Sequence, residues 1–243
     1  VHLEAKLCGD GELSAEVYFG EKSVSGDTCV SSDGIAKMTL PVKDPVLWDI
    51  GQGNLYDVRL KFGDDCAAAY FGMRKIECRQ RQLYLNGRRL FMRLVLDQGY
   101  YPDGIYTARD TDEIRRDIEM SMACGFNGAR MHMKIFEPYF MYLADRAGYI
   151  LWGEYPNWGL DISRPEANDA MLPEWREQLR RDVNHPSIIG WCPFNEAFPG
   201  KNSEIIERAV EAARSYDPSR LVIDSSGWTH KVRADIYDVH DYE

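Results

Sequence analysis

Residues 188–196 read Ile-Ile-Gly-Trp-Cys-Pro-Phe-Asn-Glu, an almost unbroken apolar run closed by an amide and a carboxylate, Asn195 and Glu196. A short apolar run of this kind, ending where polarity begins, is the pattern of a strand buried on both faces. The segments around it repeat the pattern. Residues 127–133 carry Arg130 and His132, 149–156 carry Glu154, 221–228 end in Ser225 to Trp228, and 236–243 carry His240 and Tyr242, with 93–98 opening the series. That makes six expected strands.

Helical grammar lies between them. Asp110-Thr-Asp-Glu113 matches a capping box ahead of Ile114, Ile118 and Met122, and Gly125 stands where that helix should stop. Glu137-Pro138 opens a second helix that Gly148 closes. A third is expected to begin near Pro173, with Trp175, Leu179 and Val183 on one side. Ser203 is expected to cap a fourth, carrying Ile206, Ala209, Val210 and Ala213 and ended by Asp217-Pro218. Strands alternating with helices imply a parallel sheet covered by helices. Polar residues at the C-terminal ends of so many strands favour a barrel over an open doubly wound sheet, and no Gly-rich phosphate turn follows the first strand. Residues 80–243 are therefore expected to form the first six strands of an incomplete (β/α)8 TIM barrel.

Residues 1–79 follow another period. HLEAKL, LSAEVYF and AKMTL alternate polar and apolar positions between turn signals such as GDGE and SSDG, as in an immunoglobulin-like β-sandwich. Tyr56, Val58 and Leu60 share one face of a later strand, while Pro45 and Gly51 limit pairing before it.

Composition narrows the function classes. With 44% hydrophobic and 28% charged residues among 243, the chain is a folded globular protein. A net charge of −10 supplies no cationic stripe for nucleic acid, and Arg79, Arg81, Arg88, Arg89 and Arg93 read as the solvated face of paired strands. No apolar run nears 18 residues, so no membrane partner is expected. Six cysteines without a C-x-x-C spacing suggest buried thiols. His185, His230 and His240 lack metal-ligand spacing, and neither metal nor cofactor is expected. The chain opens on Val1 inside a strand-like pattern, which leads us to expect a missing N-terminal segment and leaves the compartment, cytoplasmic or periplasmic, unassigned.

Glu196 at an aromatic strand end can be a carboxylic acid whose pKa is raised by desolvation, with Asn195 holding a sugar hydroxyl; equally, it can cap a loop or pair with a surface arginine. Arg130 is either an ion-pair partner of Glu154 or an orienting residue. Trp158, Trp191, Trp228, Tyr100 and Tyr101 are candidate stacking planes, with Trp191 the one most suited to the core.

The segment RDVNHPSIIGWCPFNE (181–196) closely resembles the signature of glycoside hydrolase family 2, the β-galactosidases, β-glucuronidases and β-mannosidases. LYLNGRRLFMRLV (83–95), GFNGARMH (125–132) and YLADRAGYILWGE (142–154) look like its successive barrel blocks, and LWDIGQGNLYDVRLKF with YFGMRKIE resembles the end of its central sandwich. The resemblance implies retaining hydrolysis of a terminal β-glycosidic bond in an oligosaccharide or glycoside, with Glu196 as general acid/base. It also places Asn195, Arg130, His132, Glu154, Trp228, His240 and Tyr242 around the substrate. Galactosidase-type members read Arg-Thr-Ser-His where this chain has Arg130-Met-His132-Met, and WGEYPNWG and LDQGYYPDG also depart from known patterns, so no sugar is named.

Such enzymes need a second carboxylate about 5–5.5 Å away as nucleophile. The resembled family puts it at the end of strand seven, which at about 30 residues per βα unit falls near position 290. Glu154 and Glu243 are the strand-end alternatives, and neither sits where that family places its nucleophile. The expectation is a fragment, inactive alone, that associates through the open edges of its sheet. The rival reading is a non-catalytic carbohydrate-binding protein of the same fold. A cellulase-like barrel of another family shares Asn-Glu but lacks the sandwich.

Overall fold

The computed structural model describes all residues 1–243. The chain divides into two compact units, one of residues 1–48 and 54–73, the other of 49–53 and 74–243.

The first unit is antiparallel. β2 (Glu12–Phe19) lies between β3 (Lys22–Val30) and β5 (Tyr56–Phe62), with β6 (Asp65–Phe71) outside β5, while β1 (His2–Lys6) pairs with β4 (Ile35–Thr39). The period-two pattern decides which side chains go inward: Leu13, Ala15 and Val17 from β2, Ala36 and Met38 from β4, and Tyr56 and Val58 from β5 share one core. Tyr56 stacks on Phe71 with ring centroids 5.1 Å apart.

The second unit opens with the antiparallel strands β7 (Ile76–Arg79), β8 (Gln82–Leu85) and β9 (Arg88–Leu90). Expected as a divide at residue 79, the break falls at 73/74. Arg74 explains the difference, donating Nε to Pro186 O at 3.1 Å and Nη2 to Ile188 O at 2.7 Å and so tying this segment to the parallel sheet.

Five parallel strands follow in strictly sequential order: β10 (Leu94–Asp97), β11 (Gly128–Met131), β12 (Ile150–Glu154), β13 (Ile188–Cys192) and β14 (Leu221–Val222). An order without reversal is that of a barrel wall. The helices are α1 (Thr111–Ala123), α2 (Pro138–Ala147), α3 (Ala167–Asp182) and α4 (Glu204–Tyr216). Their buried stripes, including Ile114, Phe140, Leu179 and Ile206, pack with Leu151 and Trp191 of the strands. No helix is long and apolar enough to cross a membrane.

Local chemistry explains most helix ends. Asp110 accepts the Glu113 N–H at 2.9 Å, but the Glu113 carboxylate reaches back to the N–H of Arg109 rather than Asp110, stretching the box by one residue. Gly148 ends α2 at φ +68°, and a Cβ there would collide with backbone atoms of Asp49 and Gln52.

Several expectations are corrected. The third helix starts at Ala167, so Pro173 lies inside it; Met171 and Leu172 are fully buried, and their burial draws the preceding turn onto the core. Ser203 makes no side-chain cap, because it already has helical dihedrals and the first turn is closed by backbone bonds such as Ile206 N–H to Ser203 O. Regular pairing in 221–228 stops at Val222, since the buried Asp224 turns its carboxylate to the N–H groups of Lys231 and Val232. The expected strand 236–243 forms no ladder: the carbonyls of Asp238 and His240 accept from the side chains of His230 and Trp228 instead.

Candidate active site

Arg130 stands at the centre of the strand-end cluster. Its Nε donates to Glu154 Oε2 at 2.6 Å, its Nη2 donates to Asn195 Oδ1 at 2.6 Å, and its Nη1 lies 3.4 Å from His240 Nε2. Three successive strands thus meet at one guanidinium, whose rigid fork sets their relative positions. Glu154 is fully buried, and its other oxygen accepts the Met133 N–H at 3.1 Å. Burial pushes the Glu154 carboxyl above its ordinary range, with the Arg130 charge and the Met133 N–H pulling back. Burial also works against the Arg130 charge, but the surrounding negative groups, Glu154 first, together outweigh it and the guanidinium pKa rises.

Glu196 follows the end of β13 at φ +49°, a left-handed conformation uncommon for a residue with a Cβ. Its N–H donates to Ser226 O at 2.8 Å, which holds that turn against the chain after β14. Asn157 brackets the preceding peptide, accepting the Asn195 N–H at 2.8 Å and donating Nδ2 to the Asn195 carbonyl at 3.1 Å. The Glu196 side chain meets His240 Nδ1 at 2.7 Å and the Tyr242 hydroxyl at 3.2 Å, both at Oε1. It is neither a loop cap nor a partner of a surface arginine. Met133, beside the cluster on the β11 side, is likewise left-handed at φ +57°, so backbone strain flanks the site on both sides.

The cleft in front of these groups encloses about 440 Å³, with Arg130, His132, Trp158, Glu196, His240 and Tyr242 among its lining residues. His132 is buried, 2.9 Å from Gln98 Nε2, and burial followed by the Arg130 charge lowers its pKa to about 4, so it is neutral in ordinary buffers. Trp158 and Trp228 tie their indole N–H groups to the carbonyls of Asn195 and His240, yet remain 55% and 53% exposed, leaving ring faces free for stacking. Trp191 and Tyr101 are buried and cannot stack on a ligand, whereas Tyr100 is exposed.

The sequence-expected residues Arg130, His132, Glu154, Asn195, Glu196, Trp228, His240 and Tyr242 thus form one connected group. Asn157 and Asp238 were missed, and Ser226 was noted only as part of the polar strand end Ser225 to Trp228. Asp238 carried a signal, lying two residues before His240 on an alternating segment; Asn157 falls in a loop rich in Asp, Asn and Pro and carried none.

Residues 76–242 match the family description "Glycosyl hydrolases family 2, TIM barrel domain". The chain is 30% identical over 221 residues to a β-galactosidase of Photobacterium profundum, covering 85% of this chain and 21% of that protein. It is 31% identical over 213 residues to one of Vibrio vulnificus strain YJ016, covering 82% of this chain and 20% of that protein. It therefore spans about a fifth of the length of the curated relatives it matches. Among solved structures, a β-glucuronidase from Ruminococcus gnavus in complex with D-glucuronic acid aligns with TM-score 0.77 at 22% identity, covering 88% of this chain and 38% of that one. The β-D-glucuronidase of Dictyoglomus thermophilum gives TM-score 0.77 at 21% identity over 88% of this chain and 39% of that one. The matched profile spans the parallel sheet and every residue of the strand-end cluster, and the chain belongs to glycoside hydrolase family 2 through its TIM-barrel domain.

Proposed function

We propose that this chain carries the acid/base half of a retaining β-glycosidase, with Glu196 protonating the leaving oxygen and then deprotonating the attacking water. The observation that carries the reading is the Glu196 carboxyl, fixed by His240 and Tyr242 on the wall of a cleft whose base is Arg130 and Asn195. Proton transfer needs a carboxyl of set position, and two side-chain partners supply it. Asn195, held by Arg130 and Asn157, is the group for a sugar hydroxyl, and the Trp158 and Trp228 faces take sugar rings. The nucleophile belongs to a segment outside these residues: Glu154 is fully buried and committed to Arg130, and the relatives are about five times longer. The unit of residues 1–48 and 54–73 serves as an immunoglobulin-like sandwich and residues 74–243 as the barrel domain, with β10 and β14 as the edges through which chains associate.

The test uses the full-length protein. Glu196→Gln is expected to lower kcat/KM on alkyl β-glycosides by at least about 100-fold and far less on aryl glycosides with good leaving groups, which need no proton. With Glu196→Ala, azide is expected to restore turnover of activated substrates by intercepting a glycosyl-enzyme. Equal loss on both substrate classes would overturn the assignment of Glu196, and a binding protein without catalysis would turn over neither.

A further inference from the structure

Behind His240 lies a second layer of polar groups. The Ser226 hydroxyl, almost fully buried, donates to Asp238 Oδ2 at 2.6 Å and lies 2.9 Å from His240 Nε2. Asp238 Oδ1 accepts the Gly227 N–H at 2.9 Å, so the carboxylate is held by two donors from consecutive residues. A hydroxyl has one proton. Spent on Asp238, it leaves Ser226 Oγ to face His240 as an acceptor only, and this 2.9 Å contact, shorter than the 3.4 Å approach of the donor Arg130 Nη1 to the same nitrogen, puts the hydrogen on Nε2. That fixes the other ring nitrogen: Nδ1, 2.7 Å from Glu196 Oε1, has no proton of its own in the neutral imidazole. Two lone pairs at that distance repel, so one proton sits between them, on either Glu196 or His240.

We infer that Ser226 and Asp238 are positioning residues that lock His240 with its proton on Nε2 and thereby oblige the Glu196–His240 pair to hold one shared proton. The inference rests on the acid/base role proposed for Glu196, since the shared proton is the one available to a leaving oxygen. Without the lock, a neutral His240 would carry its proton on Nδ1 and satisfy Glu196 as a bare carboxylate, with no acid to give. The surrounding charges balance this arrangement. Arg130 Nη1, 3.4 Å from Nε2, sets a positive charge beside the imidazole, offset by Glu154. Asp238 acts in the opposite sense through Ser226. His132 is neutral, and Tyr242 donates to Glu196 Oε1.

The test is the pH dependence of kcat/KM for an alkyl β-glycoside, measured on the full-length protein. Ser226→Ala removes the acceptor for Nε2–H. Asp238→Asn can present an N–H to Ser226, turning its hydroxyl toward Nε2 and reversing the imidazole. In both, the alkaline limb is expected to move toward acid by about one pH unit, an approximately tenfold loss above the limb with little loss at pH 5. Ser226→Thr, which keeps the hydroxyl, is expected to retain the original profile. A uniform loss at every pH would mean a structural role and overturn the inference, as would an unmoved limb. Glu196→Gln separates the two readings. If the limb vanishes there but stays in place in Ser226→Ala and Asp238→Asn, only the inference fails; if it survives in Glu196→Gln, the acid/base assignment itself fails.

Discussion

Arg130 and Glu154 form a 2.6 Å ion pair in which the carboxylate has no solvent exposure and the guanidinium only 16%. Removing one partner of such a pair strands the other charge, at a cost of roughly 3–5 kcal/mol. Arg130→Met should therefore lower the urea midpoint sharply, and adding Glu154→Gln should recover much of the loss. Arg130→Lys keeps the charge but cannot fork to both Glu154 and Asn195. Its stability should fall less than its activity in the full-length protein. A Lys variant with full activity would show that Asn195 needs no orienting partner.

The cleft offers no free cation from Lys or Arg. Arg130 is the only such residue lining it and is already paired, while Glu196 and Asp241 are acidic. A sugar carboxylate placed there would be desolvated beside like charge. Aryl β-glycosides of uncharged hexoses are expected to exceed the matching β-glucuronide in kcat/KM by at least about tenfold, roughly 1.4 kcal/mol in transition-state binding. A preference for the glucuronide would mean that another segment brings a cation to the site.

The barrel class was legible because its strands are apolar until their last residues, whereas the period change near residue 80 lies a few residues past the break at 73/74, which the contacts of Arg74 decide. Glu196, Asn195 and Arg130 could be singled out because they are polar residues at the ends of apolar strands, and the structure brings them into one cluster. Pairing after Val222 was not legible: Asp224 to Ser226 read as the polar end of a strand, and only the three-dimensional path shows Asp224 claiming the N–H groups of Lys231 and Val232. Pro173 misplaced a helix start because local proline preference was outweighed by burial of Met171 and Leu172, which no local rule weighs. The link of Ser226 and Asp238 to His240 stayed hidden because these residues lie 14 and two positions from it along the chain.

Neighbouring strands interlock at two glycines. A Cβ on Gly190 would meet the Trp152 ring at 2.5 Å, and one on Gly153 would meet the Trp191 ring at 2.5 Å, each glycine making room for the other strand's tryptophan. Gly190→Ala overpacks this layer and should cost about 1–3 kcal/mol in urea unfolding. Gly190→Ala combined with Trp152→Phe should recover part of it. No recovery would place the strain in the backbone rather than against the indole.

Two histidines should shape stability in separate pH windows. His230 is bound by Asp224 Oδ1 at Nδ1 and by the Asp238 carbonyl at Nε2, and although burial opposes its charge, these acceptors raise its pKa above 6.5. The folded state therefore holds this proton more tightly than the unfolded chain. The contribution is complete below about 6.5 and disappears as pH rises through the folded value. His132 has the opposite sign: buried and beside Arg130, its pKa falls to about 4. Below about 6.5 the unfolded chain takes up a proton that the folded chain refuses, so this contribution is lost as pH falls toward 4. Unfolding midpoints measured from pH 4 to 9 should show the wild-type advantage over His230→Gln shrinking above pH 6.5, and the advantage over His132→Gln shrinking below it. A His230→Gln difference constant across the alkaline range would show that Asp224 and Asp238 hold the neutral ring as well as the charged one.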